Sequence, residues 1–195
     1  LKGCPKRCFR RYADSPAQYP VATNLLKQDF SANQINQRWA SDITFIGTRQ
    51  GWLYLAVVMD LYSRRIIGWS MNRRISRHLV VDAMVMALGQ RDTPALHHSD
   101  RGVQYTSDDF RDLLKEHGID CSMSARGSCY DNAVVESFFS SLKRERIRRQ
   151  NYHTREEAKA DVFEYIECFY NRKRRHATLG YVSPVEFETQ TVGLN

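Results

Sequence analysis

From Trp39 onward the apolar residues of this 195-residue chain fall into regular spacings; before it they do not. Trp39–Ile46 (WASDITFI) is rich in β-branched and aromatic residues. A turn-like stretch, Gly47–Gly51, leads into the uninterrupted apolar run Trp52–Met59. After Asp60-Leu-Tyr-Ser comes a third run, Arg64–Met71 (RRIIGWSM). Three such runs with short gaps predict an antiparallel meander whose middle strand is buried on both faces. The period then changes. Leu79, Val80, Ala83, Met84, Ala87 and Leu88 follow helical spacing over Ser76–Leu88, with Gly89 as the stop. Ala95–Ser99 reads as a short strand. Ser107 caps a helix carrying Phe110, Leu113 and Leu114 and ending at Gly118, and Ile119–Met123 is a fifth strand. Asn132–Arg149 reads as one long helix. Thr154–Glu157 has the form of a capping box opening a last helix, with the stripe Ala158, Val162, Tyr165, Ile166 and Phe169. The order βββ-α-β-α-β-α is that of a mixed α/β layer fold.

Residues 1–37 contain Pro5, Pro16 and Pro20 among polar residues, and only Asn24–Phe30 hints at a helix. The expected division is an arm or connector over 1–37, a core over 38–150, and a C-terminal helix with a tail over 151–195. With 42% hydrophobic residues the chain can bury a sizeable core. Its longest apolar run is less than half of the ~18 residues a membrane span needs, and no secretory signal precedes it. Five scattered cysteines (Cys4, Cys8, Cys121, Cys129, Cys168) favour reduced thiols and a cytoplasmic location. Cys4 and Cys8 lack the further ligand pairs of a zinc site. The chain begins at Leu1 rather than Met and is read as a fragment.

The distribution of the +7 net charge is more informative than its size. Residues 1–11 carry +5 (Lys2, Lys6, Arg7, Arg10, Arg11), residues 143–149 (KRERIRR) carry +4 and Arg172–Arg175 carry +4, leaving a mildly acidic body. Solvated surface accounts for charge runs in general. Basic arms on an acidic body also suit a polyanionic partner.

Three acids stand where folding alone does not call for them. Asp42 interrupts a run of β-formers, Asp100 follows the short strand Ala95–Ser99, and Glu136 lies in an otherwise small and apolar helix. At ~100° per residue, Asn132, Glu136, Ser140 and Lys143 share one helical line, with the stripe Val135, Phe138, Phe139 and Leu142 roughly 120° away. Carboxylates from two strands and a helix are what a pair of Mg²⁺ ions needs, because hard cations take oxygen ligands. Taken singly, each acid reads more readily as a surface or capping group, and by position alone Asp60 rivals Asp42. Asp82, Asp108, Asp109 and Asp131 read as solvated acids.

The segments WASDITFI, HHSDRGVQYTS and GSCYDNAVVESFFSSLKRE resemble the three blocks of the DDE catalytic core of bacterial insertion-sequence transposases, which is similar to retroviral integrase. Thirty-five residues lie between Asp100 and Glu136, the D-D-(35)-E spacing, and YNRKRRHATLGYVSP resembles the closing motif of that family. The similarity runs from about Asn24 to Pro184. It implies a ribonuclease-H-like fold, a mixed five-stranded sheet with three antiparallel strands and then two parallel, flanked by helices. It also implies that Asp42, rather than Asp60, acts with Asp100 and Glu136 as catalytic metal ligands for two Mg²⁺ (or Mn²⁺) ions. The implied reaction is phosphoryl transfer on DNA, in which water or a 3′-hydroxyl attacks a phosphodiester at the element's end. The freed 3′-hydroxyl then joins target DNA.

Around that site, Lys143 is placed to touch a DNA phosphate, with Arg144, Arg146, Arg148, Arg149 and Arg174 as further nonspecific DNA contacts. Gly102, Gln104 and Tyr105 match the second block and shape the loop beside Asp100; Val103 departs from it. His98 reads as a structural imidazole, Trp39 and Trp69 as core, and Asn132 as capping or orienting the helix of Glu136. For Tyr170, Asn171, Arg174 and His176, packing and DNA contact both stay open. No helix-turn-helix precedes Trp39, so end recognition is expected in a missing N-terminal region and activity in a homo-oligomer on DNA. Two other readings remain: a hydrolytic ribonuclease-H-like nuclease, and a catalytically silent DNA-binding or assembly protein.

Overall fold

The computed structural model describes residues 22–27, 29–124 and 132–192. Lys2, Lys6, Arg7, Arg10 and Arg11, the thiols Cys4, Cys8 and Cys129, and Asp131 lie outside the described residues. The meander forms as its three closely spaced runs predict, with β1 (Arg38–Thr48), β2 (Gly51–Asp60) and β3 (Ile66–Asn72) pairing antiparallel. From Leu55 to Asp60 every residue of β2 is buried, as expected of a central strand covered on both faces. β4 (Leu96–Ser99) and β5 (Asp120–Met123) add in parallel beyond β1, giving the order β3-β2-β1-β4-β5.

Helices cover both faces. α1 (Arg77–Leu88) and α2 (Asp108–Glu116) close one side over Trp39, Ala56, Val58 and Ile67. α1 approaches β3 so closely that a Cβ on Gly68 would stand 2.2 Å from the Ala83 carbonyl oxygen. α3 (Ala133–Glu145) and α4 (Arg155–Phe163) close the other side over Ala40, Leu55, Val57 and Met59. The capping box is present at Thr154 and Glu157. Ser107 occupies the N-cap position of α2, but its hydroxyl donates to the Gln104 carbonyl (2.7 Å) instead of capping.

Four local expectations are corrected. The helix of Glu136 does not continue to Arg149. It stops at Glu145, where Arg146 leaves helical geometry (φ −125°, ψ −66°), and a 3-10 turn covers Ile147–Arg149. The Arg146 guanidinium instead crosses to Asp161 (2.7 Å) and Glu164 (2.9 Å). After α4 the chain widens into a π-helical stretch, Glu164–Tyr170, which advances the buried line by one residue. Tyr170 is therefore buried and Phe169 exposed, the reverse of the sequence stripe. Asn24–Lys27 is a turn rather than a helix, its Leu25 and Leu26 N–H groups donating to Ser122 Oγ (2.9 and 3.2 Å). A further helix, α5 (Pro184–Val192), closes the described chain and was not anticipated.

The tail motif serves packing. Asn171 is buried, and its amide donates to the Ile66 carbonyl (2.9 Å) and accepts from the Ile66 N–H (3.0 Å), fastening the tail to the open edge of β3. The Tyr170 ring meets Phe138 edge-on at 4.7 Å and His176 at 4.9 Å.

Candidate active site

β1 and β4 pair in parallel through Ala40↔His98. Continuing that register two residues sets Asp42 level with Asp100, just where the strands stop pairing. Beyond Ala40, β1 is bonded only to β2, so its other edge opens toward α3, which packs on this face. Fraying of two parallel neighbours at their C-terminal ends is how an open α/β sheet makes a crevice for ligands.

Asp42 is half-buried, and its Oδ1 accepts the Ile43 N–H (2.7 Å). Burial pushes its carboxyl up to about 7. The Ile43 bond and Lys143 oppose this, and the charges of Asp100 and Glu136 add to it. Asp100 is exposed at the crevice mouth, yet the protein crowding its carboxyl raises its pKa, partly offset by the Gly102 N–H donating to Oδ1 (2.9 Å). A Cβ on Gly102 would come within 2.9 Å of that oxygen, so glycine lets the loop fold back onto the acid. Tyr105 is buried beneath, its hydroxyl without a hydrogen-bond partner, and both aspartates raise its pKa after burial.

Glu136 is exposed in the first turn of α3. The start of that helix is tied to β1 because Asn132 Nδ2 donates to the Ser41 carbonyl (3.0 Å). Asn132 therefore orients the helix without a side-chain cap. Lys143, on the Glu136 line, places Nζ 5.0 Å from the centre of the exposed Phe45 ring. Phe45 was not singled out in the sequence; its place on the open edge of β1, three residues past Asp42, was the available signal.

Asp60, the rival of Asp42, is fully buried and accepts the N–H groups of Asn36 (2.7 Å), Tyr62 (2.8 Å) and Ser63 (3.2 Å). It holds a turn. His98 is likewise structural, bonded to Ser122 (2.9 Å) and Ser124 (3.2 Å). Trp39 is core, while Trp69 is half-buried and donates to Glu167 (2.8 Å). Of the basic residues, Arg144, Arg148 and Arg149 are exposed, whereas Arg146 is committed to Asp161 and Glu164. Arg174 pairs with Glu145 (2.8 Å) and Ser141 (3.2 Å), so both guanidinium groups are engaged within the fold.

The donors are oxygen-only carboxylates whose negative charges bear on one another, chemistry that fits a hard divalent cation. The set is not closed: among the described residues, no three His, Cys, Asp or Glu side chains stand where they could hold a metal ion.

Models of the integrase core domain match residues 32–129 and 136–192. The chain is 53% identical to the transposase InsF for insertion sequence IS3fB of Escherichia coli K12, across 98% of this chain and 68% of that protein. It is 45% identical to an uncharacterised 31 kDa protein of insertion element IS600 from Shigella sonnei, across 93% and 68%. Among solved structures, an intasome of simian T-cell lymphotropic virus in complex with PP2A regulatory subunit B56 gamma superposes with TM-score 0.67. It is 15% identical, over 90% of this chain and 60% of that one. The catalytic core domain of BIV integrase gives TM-score 0.60 at 21% identity, over 82% and 97%. These two establish the ribonuclease-H-like fold. The chain belongs to the integrase core family, among the transposases of insertion sequences.

Proposed function

We propose that this chain is the catalytic domain of a DNA transposase that cuts and joins phosphodiesters with Asp42, Asp100 and Glu136. The observation that carries the reading is the split between β1 and β4 after Ala40↔His98, two residues before Asp42 and Asp100, with the charges of Asp100 and Glu136 both bearing on Asp42. A solved integrase core from HTLV-2, 14% identical with TM-score 0.64, is described in complex with magnesium, and divalent metal is proposed here too. Bound to these carboxylates, two Mg²⁺ or Mn²⁺ ions would activate the attacking oxygen and stabilise the leaving one.

The protein's own groups prepare that chemistry. Asp42 and Asp100 present oxygen ligands from a rigid sheet, and Glu136 completes the set from α3. Gly102 fixes Asp100 through its N–H. Tyr105 and the surrounding core keep water from the inner side of the acids, which strengthens electrostatic interactions there. Lys143, between Phe45 and Asp42, is placed to neutralise a phosphate of the bound strand, with Arg144, Arg148 and Arg149 tracking the backbone beyond it. DNA ends and target DNA are the proposed partners, bound by a homo-oligomer.

The test is joining. With Mg²⁺ or Mn²⁺, the chain joined to its end-recognition region should transfer a pre-cut 3′-ended strand into a second duplex, and Asp42→Asn or Asp100→Asn should abolish this while DNA affinity persists. Cleavage without joining would mark a hydrolytic nuclease. Full activity in Asp42→Asn would remove the catalytic reading.

A further inference from the structure

α3 has three faces. One packs on the sheet, one carries Glu136 and Lys143, and the third, roughly 120° around the helix from those two, carries Ser137, Ser141 and Arg144. This third face and the tail motif enclose a cavity of about 360 Å³, also lined by Arg64, Arg174 and His176. None of Asp42, Asp100 and Glu136 lines this space, and the packed rings of Phe138 and Tyr170 form its apolar wall.

Its lining is rich in donors. Arg174 is held rigid by Glu145 (Nε 3.0 Å, Nη2 2.8 Å) and Ser141 (3.2 Å), with its guanidinium 5.9 Å from the Tyr170 ring centre. Arg64 reaches the cavity from a left-handed backbone (φ 62°) at the end of the β2–β3 turn, a conformation disfavoured for arginine. Arg64 Nη1 and His176 Nε2 are both buried without a hydrogen-bond partner, and such atoms are rare in folded proteins. Two carboxylates oppose the three guanidinium groups. Glu145 is shared by Arg174, Tyr165 and, at 3.8 Å, Arg144, and Asp60 already accepts three backbone N–H groups. Positive charge remains in surplus. His176, against the Tyr170 ring, has its pKa held down to about 4 by burial and then by the charges of Arg174 and Arg64, so the ring is neutral at neutral pH. Arg144 stands at the rim with its side chain 68% exposed, and Arg172, Lys173 and Arg175 are exposed on the adjoining segment.

A site that offers guanidinium, hydroxyl and imidazole groups calls for an anion with several acceptor oxygens and no need of an acceptor in return. Phosphate is that anion. We infer that this cavity is a second phosphate site, holding one backbone phosphate of a DNA strand on a face of α3 separate from the catalytic acids. The identity of the strand as DNA rests on the transposase reading; the anion chemistry does not.

The experiment uses the whole chain with labelled histidine. Inorganic phosphate is titrated first, against chloride at matched ionic strength, and the His176 ring is followed by NMR. A saturable shift of His176, lost in Arg64→Gln and in Arg144→Gln, is expected. Arg144 is exposed, so its variant keeps the fold even if Arg64→Gln does not. Duplex DNA is then titrated across a salt series. Arg144→Gln should weaken binding about 3- to 10-fold and lower the log–log salt slope by ~0.9, the signature of one lost phosphate contact. Lys143→Ala should lower the slope as well but leave the response of His176 to phosphate intact. Silence of His176 toward both phosphate and DNA overturns the site. A response to phosphate with an unchanged DNA slope in Arg144→Gln makes it a free-anion site and overturns the strand assignment. A normal phosphate response in a protein that fails to join DNA supports the pocket and counts only against the transposase reading.

Discussion

Asn171 gives the sharpest test of how the tail holds the fold. Its amide makes two bonds to one residue, accepting the Ile66 N–H (3.0 Å) and donating to the Ile66 carbonyl (2.9 Å), in surroundings where both residues are 2% exposed. Asn171→Ala removes both partners and strands an N–H and a C=O on the edge of β3. Each buried, unmade backbone bond costs ~1–3 kcal/mol. Water reaching an edge strand recovers part of that, leaving a loss of about 3 kcal/mol from a domain whose whole stability is on the order of 5–15 kcal/mol. With a urea slope of ~2 kcal/mol per molar, the unfolding midpoint should fall by ~1.5 M with little change in slope. Asn171→Asp keeps the shape but faces the Ile66 carbonyl with an acceptor, so it should be at least as damaging. A loss under about 1 kcal/mol in Asn171→Ala, or a wild-type midpoint in Asn171→Asp, would refute the clamp.

Glu188 on α5 is bonded to Ser63 (2.7 Å), Arg65 (2.6 Å) and Arg91 (2.7 Å); these partners outweigh burial and hold its pKa below the ordinary 4.5. Because the folded pKa is the lower one, the stabilisation is complete above about pH 4.5 and is lost as pH falls through the folded value. Thermal melts from pH 6 to 3 should therefore bring the native protein toward Glu188→Gln, and a constant gap between them would contradict this. Gly68→Ala drives a methyl to 2.2 Å from the Ala83 carbonyl oxygen, so α1 must lift from β3 at a cost of about 3 kcal/mol or more in denaturant unfolding. A variant within about 0.5 kcal/mol of the native protein would show that α1 shifts freely. Lys143→Ala should flatten the log–log salt dependence of DNA binding by ~0.9, and an unchanged slope would remove Lys143 from the phosphate contacts.

All five strands and the helices bearing the site were legible in the sequence, because β-branched and apolar runs in β1–β3 and helical spacing in α1–α3 report burial directly. The acids Asp42, Asp100 and Glu136 were legible as acids that break those patterns. What escaped depends on long-range contacts. Where α3 ends, Arg146 pairs with Asp161 on α4 and Glu164 at the start of the π-helical stretch, and nothing near Arg146 in sequence foretells them. The π-helical stretch exchanges Phe169 for Tyr170 on the buried line, a shift that a fixed 3.6-residue period cannot register. Asp60 and Asp42 both occur on long strands of the meander, so position alone does not separate them; the bonding around them distinguishes a turn-holding carboxylate from one left at an open edge. The ion pair of Arg174 with Glu145 joins residues 29 apart and has no signal in the local sequence.

Direct observation of the metal bears hardest on the account. In crystals of the chain soaked with Mn²⁺, anomalous scattering should reveal ions held by both Asp42 and Asp100, with Glu136 drawn in to complete the set. Manganese bound elsewhere, or no manganese at these two aspartates at saturating concentration, would contradict it.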